Sequence, residues 1–347
     1  MPFSARMLTA AAALLCAAAA SAAERDLAIA TRGETSRAAW RDLMFVPLTA
    51  ASDIGFKLEN WEGGLDALRA QAKAPDAQWD LMLVDAAELA VGCAEGLFDK
   101  LDWAAIGGKD HYQPAGVAEC GVGARIAATV LAWDKDKSAN QPTWADFWDV
   151  AKMPGKRGLR ADPRGTLEIA LLADGVAAPD VYKTLATPEG ADRAFRKLDQ
   201  LKPYLSWWRT GADAAKLLES GDVAMTSAPS GRIAAAARET KRNFAVQWAG
   251  SLTELQFWAM VKGGSETRAT AQVLYALGGT AAQARMLRLA GEAGLAKGVN
   301  EGQPPEVLAF SPSHAANAAG AMRVDAAFWA EHGAKLRARF EAWMAGR

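Results

Sequence analysis

Histidine is scarce in this chain of 347 residues: His111, His314 and His332 are the three, and they form no H-E-x-x-H pair or other close spacing. A histidine-based metal site or catalytic triad therefore has little to be built from. An excess of one charge is also missing, since 39 Lys and Arg stand against 40 Asp and Glu, a formal net charge of -1. That balance argues against nucleic-acid binding, which needs basic residues to neutralise phosphates. There is no G-x-S-x-G elbow and no P-loop, and Gly121-Val122-Gly123 lacks the third glycine of a dinucleotide fingerprint. No cofactor and no metal are expected. Beyond residue 20 no apolar run approaches the roughly 18 residues that a membrane span requires.

What is present is an ordinary globular composition, 51% hydrophobic and 23% charged, in a chain too long for one typical core and suited to two domains. The first residues stand apart. One positive charge at Arg6 precedes an unbroken run of small and apolar residues over 7–20, and Ala20-Ser21-Ala22 follows as a small-x-small cleavage pattern. Residues 1–22 read as a secretory signal peptide, removed near Ala22, so the mature protein is expected outside the cytoplasm.

Cysteine usage agrees with export. Cys16 leaves with the signal, and Cys93 and Cys120 remain. In an oxidising compartment the simplest arrangement pairs them, which the chain-entropy model values at roughly 3 to 4 kcal/mol. Two buried free thiols are the alternative.

Along the mature chain, short apolar runs alternate with helical patterns, the signature of βαβ units. Strands are expected at 26–30, 56–61, 79–84 and 125–133, then at 158–160, 222–226, 244–248 and 255–262. Thr187-Pro188-Glu189 has the form of a helix start, with Pro at the first helical position. The polar stretch 134–142 and the segment Ala249-Gly250-Ser251 are possible crossings between two α/β lobes, which would be a hinged pair with a cleft between them.

Chemistry-bearing residues fall into three groups. The 13 Trp against 4 Tyr include Trp61, Trp207, Trp208 and Trp258, each either a ring for stacking on a ligand or part of the core. Glu34, Asp85, Glu88, Glu168 and Glu254 lie at expected strand ends or helix starts, where a set of carboxylates facing a cleft would suit an amine. The four basic residues of 152–160, Lys152, Lys156, Arg157 and Arg160, read as a solvated loop.

The run from Thr143-Trp144-Ala145-Asp146-Phe147-Trp148 through Met153-Pro154-Gly155-Lys156-Arg157-Gly158, with Thr166-Leu167-Glu168, Leu185-Ala186-Thr187-Pro188, Trp207-Trp208 and Ser230-Gly231-Arg232, resembles the periplasmic spermidine/putrescine-binding proteins of ABC importers. The likeness covers essentially the whole mature chain. It implies an α/β, two-lobed type II periplasmic binding protein fold with two crossings and an interlobe ligand cleft. Lobe 1 would be 24–134 plus 253–300, and lobe 2 would be 135–252 plus 301–347. It also implies a monomer without catalysis that closes on one small solute and hands it to an ABC permease at the inner membrane.

The resemblance places Arg32, Glu34, Ser36, Asp85, Glu168, Trp208, Ser230, Glu254, Gln256 and Trp258 at the ligand, with Asp85 and Glu168 neutralising ammonium groups and Trp208 or Trp258 as an apolar wall. Several family aromatics and one acid are replaced: Arg32 stands where a Trp is usual, Ser36 for a Tyr, Pro229 for an aromatic, Gln256 for an acid and Ala296 for a Tyr. These replacements weaken a diamine clamp, and it is the family that keeps a polyamine-like amine as the expected cargo. The alternative is a neutral or anionic solute held through Arg32, Thr31, Thr35, Ser36 and Ser230. A secreted hydrolase joining Ser230 to Glu254 and a sensor module without transport are the remaining readings.

Overall fold

The computed structural model describes residues 26–346 apart from 33, 53, 62, 74–78 and 264–266, so the expected signal segment lies outside the described residues. Among the described residues nine strands form one sheet: β1 (Leu27–Thr31), β2 (Phe56–Asn60), β3 (Leu81–Asp85), β4 (Val122–Asp134), β5 (Arg157–Arg160), β6 (Leu205–Trp208), β7 (Met225–Pro229), β8 (Phe244–Met260) and β9 (Met322–Arg323). Their order is β2-β1-β3-β8-β4-β7-β5-β6, with β9 added beside β8. β1 is parallel to β2 and β3, and β5 is parallel to β6 and β7. β4 and β8 run antiparallel to each other and join these two groups.

The two long strands belong to both halves. β3 pairs with the carboxyl-terminal end of β8, from Leu81 opposite Met260 to Asp85 opposite Gln256. β7 pairs with the carboxyl-terminal end of β4, from Thr129 opposite Pro229 to Trp133 opposite Met225. Between those contacts, the stretch where Ala127 faces Glu254 connects one half with the other.

The apolar runs of β1 and β3 lack polar alternation because both faces are covered. Ile29, Leu81 and Leu83 pack with Trp40, Phe45, Trp258 and Met286 on one face. Ala30, Met82 and Val84 pack with Leu68, Leu89 and Phe257 on the other. In the second half, Leu131 and Trp133 join Leu159, Leu167, Leu198, Trp329 and Phe340. The helix expected from Thr187-Pro188 forms as Pro188–Leu201, with Thr187 Oγ1 accepting from Gly190 N at 3.1 Å.

Three expectations need correction. Ala249-Gly250-Ser251, a possible crossing, does not separate two strands but forms a bulge inside the single strand β8. The partner of β4 jumps from Leu252 at Thr129 to Gln247 at Leu131, and Gly250 absorbs the turn with φ +73° while donating its N–H to Gly320 O at 2.8 Å. The strand expected at 222–226 begins at Met225, because Gly221 caps the preceding helix in the left-handed region and the chain must first turn. Arg157 is not on a solvated loop: it is fully buried and donates to the carbonyls of Phe147 and Gly155, both at 2.6 Å.

Candidate functional site

Asp85 ends β3 and caps the helix Ala86–Ala94, a place dictated by the change from an apolar strand to a helix that needs an N-cap. Its Oδ1 accepts from Ala87 N at 3.0 Å and Glu88 N at 2.9 Å, and Glu88 Oε2 accepts from Asp85 N at 2.9 Å, a complete capping box. Asp85 Oδ2 is thereby left for other partners.

One of them is Arg32, which follows β1: its Nη1 lies 3.8 Å from Asp85 Oδ2, and its Nη2 pairs with Glu88 Oε1. Glu88 Oε1 also accepts from Gly64 N at 2.8 Å. The Arg32 guanidinium lies 4.4 Å above the ring of Trp61, whose Nε1 is tied to Leu83 O at 3.0 Å. Gly63 has to be glycine here, since its φ is +89° and a Cβ would sit 2.5 Å from Arg32 Nη2. Thr31 Oγ1 and Arg32 Nε are buried beside these groups and have no hydrogen-bond partner among the described residues.

The other partner comes from the second half. Helix Pro163–Ala173 is interrupted at its start by Arg164 (φ -67°, ψ 120°) and Gly165 (φ 91°, ψ -42°). Arg164 Nη1 lies 3.5 Å from Asp85 Oδ2, and its Nε lies 2.9 Å from Glu254 Oε1 on β8. Burial disfavours the charge of Arg164, but Glu254, Asp85 and Glu168 outweigh it and hold its pKa above the ordinary arginine value. Two guanidiniums and three carboxylates thus converge where the halves meet, an excess of one negative charge.

Of the residues expected at the ligand, Arg32, Asp85 and Glu254 are brought together. The side chains of Glu34 and Ser36 lie outside the described residues. Ser230 is buried at the first position of helix Ser230–Thr240, at the end of β7. Gln256 Oε1 accepts from Arg125 Nε at 2.6 Å, which ties the two long strands together.

Three candidates are not paired within that cluster. Glu168 is wholly buried behind the cluster, near enough to act on the charge of Arg164 but not paired with it. Its Oε2 accepts from Gly165 N at 2.8 Å, and its Oε1 accepts from Trp329 Nε1 at 2.7 Å and Tyr182 OH at 3.0 Å. Burial lifts its pKa to about 7 against those hydrogen bonds. Trp258 is a core residue of the first half, edge-on to Trp40 at 5.2 Å. Trp208 packs among Ala214, Leu218 and Ile233 in the second half. The tryptophan that does meet the charged cluster is Trp61, beneath Arg32.

Arg164 was missed. The signal for it was Asp162-Pro163-Arg164-Gly165, a capping residue and Pro followed by a Gly within the first turn, where a helix has no use for glycine. Cys93 and Cys120 are disulfide-bonded, with Cα atoms 5.7 Å apart. No helix among the described residues is long and apolar enough to cross a membrane.

Residues 44–315 match the model of the bacterial extracellular solute-binding protein family. The chain is 41% identical over 329 residues to the gamma-aminobutyric acid-binding protein of Pseudomonas aeruginosa, which covers 93% of this chain and 92% of that protein. Among solved structures, it is similar to the Atu4243-GABA receptor (TM-score 0.79, 27% identity, 92% of this chain and 97% of that one). It is also similar to MotA from A. tumefaciens B6 in complex with glucopine (TM-score 0.76, 30% identity, 91% and 98%). The mixed α/β architecture is the periplasmic binding protein fold, and these relatives are solute-binding proteins rather than enzymes. The chain belongs to the bacterial extracellular solute-binding protein family, whose members serve ABC transporters.

Proposed function

We propose that this protein is the periplasmic receptor of an ABC importer for a small ω-amino acid of the gamma-aminobutyric acid type, not for a polyamine. The observation that carries the reading is the mixed-charge cluster of Arg32, Arg164, Asp85, Glu88 and Glu254. Its single negative excess accepts a solute ammonium, and its guanidiniums offer a planar, two-toothed partner for a carboxylate. A diamine would bring two positive charges to one uncompensated negative charge, and a simple anion would add a second. The buried, unsatisfied Thr31 Oγ1 and Arg32 Nε supply further polar groups for a solute. The relatives that bind gamma-aminobutyric acid and glucopine support the same class.

In this reading the lobes are divided as the sequence suggests, with the first crossing placed in β4, and the packing of Leu131 and Trp133 with the second half supports that placement. Closure brings Arg164 of lobe 2 onto Asp85 of lobe 1, and the solute stabilises that state by touching both. Residues 1–22 are removed on export, and the closed monomer docks on its permease.

Calorimetric titration of the mature protein with gamma-aminobutyrate, 5-aminovalerate, putrescine and butyrate tests this. Saturable binding of the two amino acids, with putrescine and butyrate at least ~10-fold weaker, is expected. Preference for putrescine would overturn it.

A further inference from the structure

We infer that Glu168 is a positioning residue that aims Arg164 into the cleft through the break at Gly165, and that Arg164 selects solutes carrying a carboxylate. The second half of this inference rests on the ω-amino-acid reading above; the first half concerns the free protein alone.

A helix that began at Pro163 and continued regularly would carry Arg164 around its own axis. Instead Arg164 is extended, with ψ of 120°, and Gly165, with φ of 91°, leads the chain back into the helix. A Cβ at Gly165 would meet only Leu252 Cδ1, at 3.6 Å, so backbone conformation rather than space demands glycine. Gly165 lies in the first turn, where its N–H has no partner in the helical ladder. Glu168 Oε2 receives it at 2.8 Å.

The second oxygen of Glu168 is held from outside the helix. Trp329 Nε1 reaches it from helix Ala326–Met344 at 2.7 Å, and Tyr182 OH from helix Val181–Leu185 at 3.0 Å. All three partners are donors. A carboxylate, which only accepts, satisfies them together, whereas a glutamine would turn an NH2 toward one of them. Three elements therefore fix one buried side chain, and that side chain fixes the backbone one residue beyond Arg164.

What the device aims is a guanidinium already shared between Asp85 and Glu254. Its Nε lies 2.9 Å from Glu254 Oε1 yet is buried without a hydrogen bond among the described residues, so the guanidinium keeps a donor for a solute carboxylate. A solute with amines alone has no use for it.

Two experiments separate the parts. In the ligand-free protein, the Arg164 Nε–H resonance, assigned by its loss in Arg164→Lys, is expected to be shifted and slow to exchange with water. Glu168→Gln and Gly165→Ala should both return it to the position and exchange of an exposed arginine; Gly165→Ala leaves the Trp329 and Tyr182 contacts in place should Glu168→Gln fold poorly. An unmoved resonance in the folded variants overturns the positioning role.

In the second experiment, affinities for gamma-aminobutyrate and putrescine are measured for Arg164→Ala, Glu168→Gln and the double variant. Arg164→Ala should weaken gamma-aminobutyrate by ~30-fold or more without weakening putrescine, and Glu168→Gln by about 5- to 10-fold. In the Arg164→Ala background, Glu168→Gln should add less than about twofold. Equal losses in both backgrounds would make Glu168 merely structural, and equal losses for both solutes would remove selectivity from Arg164. If the wild type binds neither solute, the functional reading fails while the resonance still decides the positioning role.

Discussion

Arg164 Nη1 stands 3.5 Å from Asp85 Oδ2, and the two residues come from opposite halves of the sheet. Asp85 has two tasks on two oxygens: Oδ1 caps a helix, and Oδ2 meets Arg32 and Arg164. The cap keeps the carboxylate in place whether or not the lobes are closed, so the acceptor is organised before a solute arrives.

Asp85→Asn separates these tasks. Asparagine caps a helix about as well as aspartate, so the change should cost under about 1 kcal/mol of stability. Loss of the charge should weaken gamma-aminobutyrate binding by ~10-fold or more, about 1.4 kcal/mol. Paired urea unfolding and calorimetric titration check both; unaltered affinity would exclude Asp85 from the site.

Trp258→Phe should do the opposite. Its ring packs against Trp40 at 5.2 Å and Phe45 at 6.1 Å, so shortening it removes core contacts at about 1 to 3 kcal/mol. Solute affinity should stay within about twofold. A large loss of affinity with unchanged stability would return Trp258 to the pocket wall.

A second contact between the halves is made by two glycines. A Cβ at Gly231, at the start of helix Ser230–Thr240, would lie 2.8 Å from the carbonyl oxygen of Gly291, which caps helix Thr280–Ala290. Gly231→Val should therefore hold the lobes apart, weakening binding by ~10-fold while the thermal midpoint moves by only about 2–4 °C. Small-angle scattering of the free protein should show a larger radius of gyration.

Glu168 predicts a pH dependence of stability. Its pKa rises from 4.5 in the unfolded chain to about 7 in the fold, so the folded state holds more protons in between. Its contribution is full below about pH 4.5 and is lost as pH rises through 7, a difference of the order of 3 kcal/mol at most. Unfolding free energies of wild type and Glu168→Gln, compared at pH 5 and pH 8, isolate it. The difference between the two proteins should shift toward greater wild-type stability at pH 5.

Reduction of the bond between Cys93 and Cys120, 27 residues apart, should cost about 3.5 kcal/mol by the chain-entropy model. Urea unfolding with and without reductant measures it, with Cys93→Ser/Cys120→Ser as the control.

Much of this protein was legible in one dimension. Apolar runs between helical patterns marked β1, β3 and β4, because a strand covered on both faces must be apolar throughout. Thr187-Pro188 and Asp85 announced helix starts, because capping is settled by neighbours within one turn. Asp85 and Glu254 could be singled out because charge at the end of an apolar strand is conspicuous, and Arg32 through the family resemblance.

What tertiary structure decided was partnership. Nothing local to Glu168 says that Trp329, 161 residues away, donates to it together with Gly165 N. Nothing local to Trp258 distinguishes a core ring from a pocket wall, since both need a large apolar residue on a strand. Arg164 does not stand out along the chain, because its role depends on a break in the helix and on two carboxylates contributed by β3 and β8. Backbone preference and periodicity act between neighbours and can be read along the chain. The pairing of buried charges depends on which distant segments the fold brings within a few ångströms, and only the assembled sheet determines that.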